Sequence, residues 1–153
     1  MSVNTWNRTE KRELDTLTKS IELAAHTIQC CENEKIFPKR HRLSITVDLI
    51  RDSKEVVKLI NKANERDNVK DHKQREHLQR LALDTLNDLE MDLQIAYLTL
   101  KPNIPEKKLE SWLRLIDETK TLLKRWTKQN LEDYLIAIAK DNSEQLGKDF
   151  TTN

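Results

Sequence analysis

Apolar positions recur at a helical period along most of the chain, most densely between His77 and Leu100. At about 100° per residue, Leu78, Leu81, Ala82, Leu86, Leu89, Leu93, Ala96 and Leu100 share one face. Met91, Ile95 and Leu98 form a second, narrower stripe behind it. A helix with two apolar stripes meets either two layers of its own chain or another protomer. The pattern therefore predicts a central bundle helix, with Met91, Ile95 and Leu98 as candidate oligomer contacts.

Three more helices follow from the same period. Thr9 is placed to cap the first, whose predicted core face is Leu14, Leu17, Ile21, Ala24, Ala25 and Ile28. Residues 1–8 read as an extended lead-in from which Trp6 docks. Phe37-Pro38 opens the second helix, since proline is tolerated in a first turn. Leu43, Ile45, Val47 and Leu49 alternate like a strand, but the longer series Leu43, Val47, Ile50, Val57 and Ile60 favours helix. Asp71 with Gln74 suggests a capping box for the third helix, and Asn103, Pro105 and Glu106 a start for the fourth. The fourth helix presents Leu109, Trp112, Leu113, Ile116, Thr119, Leu123 and Trp126 to the core. The expected fold is all-α: an antiparallel up-down-up-down four-helix bundle over residues 9–130. An acidic tail, 131–153, carries a short fifth helix at most and frays beyond Asp141.

Composition agrees with long helices: one Gly, three Pro and 35% charged residues leave little turn chemistry for a β-fold. No apolar run approaches the ~20 residues of a membrane span, and the N-terminus lacks a signal-peptide core, so the expected setting is cytoplasmic. Charge is uneven. The last 23 residues hold two basic against five acidic side chains, a net of −3, and residues 1–130 carry +4.

Few features suggest an enzyme, and no catalytic, metal or cofactor site is expected. The only glycine is Gly147, so no phosphate-cradling loop is present. None of His26, His41, His72 and His77 has Glu three residues before it, as inward-facing Glu-x-x-His pairs require. His26 and Cys30 share a face, but on the outer side of the helix and without a second pair. Cys30 and Cys31, being adjacent, fit neither a disulfide framework nor a Cys-x-x-Cys site.

Basic residues cluster instead. Lys39, Arg40 and Arg42 surround the start of the second helix; Lys73, Arg75 and Arg80 line the third; Lys124, Arg125 and Lys128 close the fourth. In the predicted bundle the last two clusters lie at one end, with Lys11 and Arg12 nearby. Together they can attract phosphates without reading sequence. The alternative is a solvated charged surface balanced by Glu10, Asp71 and Glu76. Trp112 and Trp126 are at core spacing, which marks them as packing residues rather than base-stacking platforms.

The segment Phe37-Pro38-Lys39-x-x-Arg42-x-x-Ile45, with the apolar series running to Ala63-Asn64, resembles a bacterial family of four-helix-bundle proteins. That family is typified by the accessory variability determinant of diversity-generating retroelements, with a sister branch encoded in ribosomal RNA intervening sequences. Trp112-Leu113-x-x-Ile116-Asp117-Glu118 and Leu122-Leu123-x-x-Trp126-x-Lys128 resemble its fourth helix. Leu59-Ile60-Asn61-Lys62-Ala63-Asn64 departs from the ribosomal branch, so the likeness is to the accessory branch over residues 10–128. The resemblance implies a non-enzymatic homo-oligomer, typically a pentameric ring, with a reverse transcriptase and RNA or cDNA as partners. It implies that Arg40, Arg42, Lys124, Arg125 and Lys128 are the basic contact residues. A protein-only regulatory bundle, with the acidic tail as its binding arm, is the alternative.

Overall fold

The computed structural model describes the backbone of residues 8–100 and 103–151, and the side chains of 10–100 and 103–148. The lead-in with Trp6 and the side-chain cap of Thr9 lie outside these residues. Four α-helices are present and, among the described residues, no strand: α1 Arg8–Glu32, α2 Val47–Asn64, α3 His72–Leu100 and α4 Glu106–Thr151. Around the bundle α1 packs on α2 and α4, and α3 packs on α2 and α4; the α2–α3 seam is the most extensive and the α3–α4 seam the loosest.

Side-chain pairs fix how the helices pass one another. Arg12 meets Gln129, Lys19 meets Glu118 and Thr27 meets Trp112, so contacts climb α1 as they descend α4. Gln79 meets Asn130 and Glu90 meets Lys120, the same opposed order for α3 and α4.

The stripes expected of α3 and α4 are the ones buried. Ala82, Leu86, Leu89, Leu93, Ala96 and Leu100 fill the centre with Trp112, Ile116, Leu123 and Trp126; Leu78 is half-buried and Leu81 exposed at the margin.

On α1 the periodicity is right and the face is not. Leu14, Ile21 and Ala25 are exposed and Leu17 and Ile28 half-buried; of the expected face only Ala24 is buried, and the inward row is Thr16, Ser20, Leu23, Thr27 and Cys30. The hydroxyls cause no desolvation penalty because each donates within its own helix: Thr16 to Arg12 C=O at 2.6 Å, Ser20 to Leu17 C=O at 2.7 Å, and Thr27 to Leu23 C=O at 2.8 Å. Thr27 Oγ1 also accepts from Trp112 Nε1 at 3.0 Å, so a small hydroxyl face receives an indole from α4. Cys30, expected outside, is buried beside His26, with Sγ 3.5 Å from Nε2.

Proline begins the path into α2 but not an ordinary helix. Pro38 precedes a 3₁₀ turn, Lys39–His41, followed by a π turn, Arg42–Thr46, whose closing Val47 N–H reaches Arg42 C=O five residues back. The change in winding turns Ile45, Leu49 and Val56 inward and leaves Leu43 and Val47 exposed. Phe37 is buried edge-on to Trp112, with ring centroids 6.1 Å apart. Asp67 accepts the N–H groups of Val69 and Lys70 at 2.8 and 2.9 Å and so shapes the turn into α3.

The tail differs from expectation. No break separates a fifth helix, and α4 continues past Asp141 to Thr151. It contains no Pro, and a helix already nucleated extends at the cost of propagation alone.

The rotated face of α1 sets a direct comparison. Leu23→Ala should lower unfolding free energy by about 2–4 kcal/mol. Ile21→Ala should change it by about 0.5 kcal/mol or less. Denaturant titration of dilute protein measures both; a larger loss at Ile21 would return the expected stripe to the core.

Candidate functional site

The densest polar arrangement is buried, not superficial. Arg75, expected in the basic cluster, is 4% exposed. Its Nε donates to Asn130 Oδ1 at 2.5 Å, one terminal nitrogen donates to Arg66 C=O at 2.7 Å, and the other pairs with Glu13. The guanidinium lies 5.1 Å from the Trp126 ring centroid. Gln79 also donates to Asn130 Oδ1, at 3.3 Å, and Asn68 donates to Asn130 C=O at 2.9 Å. His72, buried next to this group, stacks on Tyr134 with ring planes 4° apart and its Nδ1 3.0 Å from Asn68 Oδ1. A desolvated cation needs such partners, which is why Arg75 is unavailable to a phosphate. Arg12 is likewise engaged, donating to Arg125 C=O at 3.2 Å and Gln129 Oε1 at 3.1 Å.

The remaining cations are spread over separate parts of the surface. Arg80, Lys124 and Lys128, with Glu76 and the apolar Leu83, Leu123 and Leu131, line a groove of about 440 Å³ along the loose α3–α4 seam. Arg80 is paired there with Glu76 at 2.6 Å. Arg125 faces another way, into a shallow hollow with Lys19, Arg114 and Asp117. Lys73 is exposed near the start of α3. Lys39, Arg40 and Arg42 project from the 3₁₀ and π turns beside the end of α1, while the groove lies by its start. At 1.5 Å per residue these surfaces are about 30 Å apart.

The candidate oligomer stripe is open in the protomer: Met91, Ile95 and Leu98 are 56, 52 and 69% exposed. Leu14 and Ile21 on α1 and Leu43 and Val47 on α2 are exposed too. The sequence pattern singled out these apolar rows but assigned those of α1 and α2 to the core.

Titratable groups give the other chemical possibilities. Burial raises the Cys30 thiol, and burial together with the neighbouring Cys30 and Glu32 raises Cys31 to about 12, so neither is a thiolate at neutral pH. His26 is lowered by burial and by nearby Lys108. Among the described residues no group of three or more His, Cys, Asp or Glu is placed to hold a metal. One carboxyl pair stands out across the α2–α3 seam. Partial burial, the hydrogen bond that protonated Asp92 donates to the Asp52 carboxylate, and the charges of Asp52, Asp48 and Asp88 push Asp92 up to about 6. Arg51 pairs with Asp48 at 3.0 Å and with Asp52 at 3.5 Å.

No protein-family model, curated protein or solved structure matches the chain. The family likeness therefore rests on the motif residues themselves.

The Asp92 carboxyl predicts a pH dependence of definite sign. Its folded-state value lies above the ordinary 3.8, so its stabilisation is complete below about pH 4 and is lost as pH rises through about 6. After discounting for solvent screening, Asp92→Asn should gain about 1 kcal/mol at pH 8 and nothing near pH 4. Equal gains at both pH values would remove the carboxyl pair from the seam.

Proposed function

We propose that this chain is a non-enzymatic accessory protein of a diversity-generating retroelement. It self-assembles and uses exposed basic residues to hold a reverse transcriptase and its template RNA or cDNA during mutagenic synthesis. The observation that carries this reading is the division of labour within the Phe37–Ile45 motif. Phe37 and Ile45 are buried as anchors, Pro38 leads into the 3₁₀ turn, and Lys39, Arg40 and Arg42 project into solvent. Residues that repeat a family's motif and hold three cations outward suit an anionic or acidic partner.

The opposed running of α1 against α4 and of α3 against α4 supports an antiparallel up-down-up-down arrangement. The open Met91–Ile95–Leu98 row supports assembly through α3, a pentameric ring by the family likeness. No helix among the described residues is long and apolar enough to cross a membrane. A cytoplasmic setting follows from the proposed role. A protein-only regulatory bundle is the second reading, favoured by the internal use of Arg75 and Arg12 and the pairing of Arg80 with Glu76.

Reversing Lys39, Arg40 and Arg42 to Glu should weaken binding to the reverse transcriptase–template RNA complex by tenfold or more at low salt, with helicity unchanged in circular dichroism. In parallel, Met91→Glu with Ile95→Glu should shift the chain to smaller species in sizing. Unchanged RNA-complex affinity with capture of the reverse transcriptase alone would favour the protein-only reading. No affinity of the unaltered chain for either partner would end the retroelement reading.

A further inference from the structure

Two ties cross the loose α3–α4 seam. Near the start of α3, His72 stacks on Tyr134; farther along, Glu90 pairs with Lys120. Tyr134 and Lys120 are fourteen residues apart on α4, about 21 Å. Every residue lining the groove falls between these ties on its own helix. At about 440 Å³ the groove has the volume of a small-molecule site.

Charge and apolar surface are unevenly placed within it. Leu83, Leu123 and Leu131 give an apolar lining, and Leu123 is 1% exposed. Arg80 and Glu76 are paired with each other at 2.6 Å. Lys124 and Lys128, exposed and one helical turn apart, form no ion pair among the described residues. Glu132, four residues beyond Lys128, neither lines the groove nor pairs with it. Glu76 stands at the other end, 3.2 Å from the His72 ring that stacks on Tyr134. From Tyr134, Lys128 is six residues back along α4 and Lys124 ten, about 9 and 15 Å. The groove therefore has two unmatched ammonium groups at one end and leucines leading away from them.

We propose that this groove binds a small amphipathic carboxylate, of the chemistry of a medium-chain fatty acid. Its carboxylate sits between Lys124 and Lys128, and its chain lies over Leu83 and Leu123 toward Leu131. Charge-assisted hydrogen bonds hold the head group, and removal of methylenes from water holds the chain. The two ties set the size of the occupant. A peptide helix or strand laid along the whole seam has to displace the His72–Tyr134 stack or the Glu90–Lys120 pair; a short acyl chain fits between them. This binding goes beyond the proposed retroelement role and does not depend on it, and it leaves Lys39, Arg40 and Arg42 open.

Calorimetric titration of the full chain with octanoate and decanoate, each below its micelle concentration, tests the site. Decanoate should bind once per chain and about fifteenfold more tightly than octanoate, the gain from burying two further methylenes. Lys124→Gln with Lys128→Gln should weaken decanoate about tenfold or more while leaving decanol, which has no charge, unaffected. Four results would overturn the proposal. They are no binding of decanoate, equal affinity for both chain lengths (adsorption to surface lysines alone), decanol binding as tightly as decanoate, and decanoate binding unchanged in the double variant.

Discussion

A single buried guanidinium ties three helices and the turn that follows the remaining one at one end of this molecule. Arg75 belongs to α3; its partners are Glu13 of α1, the carbonyl of Arg66 just after α2, and Asn130 and Trp126 of α4. Taking such a charge out of water costs several kcal/mol unless each N–H finds an acceptor. The partners come from four places in sequence, so the cost is offset only when the helices sit at one depth and one rotation. Apolar packing is more forgiving, since a stripe of leucines tolerates small slips. The polar node gives specificity to a core that hydrophobic burial makes stable.

That constraint accounts for what stays outside. With Glu13 turned toward Arg75 and Thr27 toward Trp112, α1 presents Thr16, Ser20 and Leu23 inward. Leu14 and Ile21 are left in solvent. The π turn does the same for Leu43 and Val47 on α2, and the two-striped α3 leaves Met91, Ile95 and Leu98 exposed. Apolar rows stand exposed on three helices and on the overhang of α4, the surface that the proposed assembly would cover.

Much of this was legible in the sequence. The helical period located all four helices, and on α3 and α4 the denser stripe is the buried one because their competing rows are shorter or polar. On α1, Leu14, Leu17 and Ile21 outweigh Thr16, Ser20 and Leu23 on any hydropathy scale. Hydroxyls that donate to their own backbone carbonyls count as polar in a sequence and pack as small apolar groups in a helix. Burial of Arg75 depends on partners 9, 55 and 62 residues away, which no local pattern announces. The groove was half visible: Lys124 and Lys128 were placed together, but Arg125, next to Lys124, falls on another side of α4. Continuity of α4 through its acidic stretch follows from the absence of a breaker, a signal that a change of charge obscured.

Stability of Arg75 variants tests most directly whether this node holds the helices in register. Arg75→Met, which keeps the volume and orphans Glu13 and Asn130, should cost about 3 kcal/mol in denaturant unfolding. Once Arg75 is gone, Glu13→Gln should cost almost nothing further, so that the two changes couple by about 2 kcal/mol in a double-mutant cycle. Additive effects, or a loss at Arg75 no larger than that of Arg80→Met, would contradict the account.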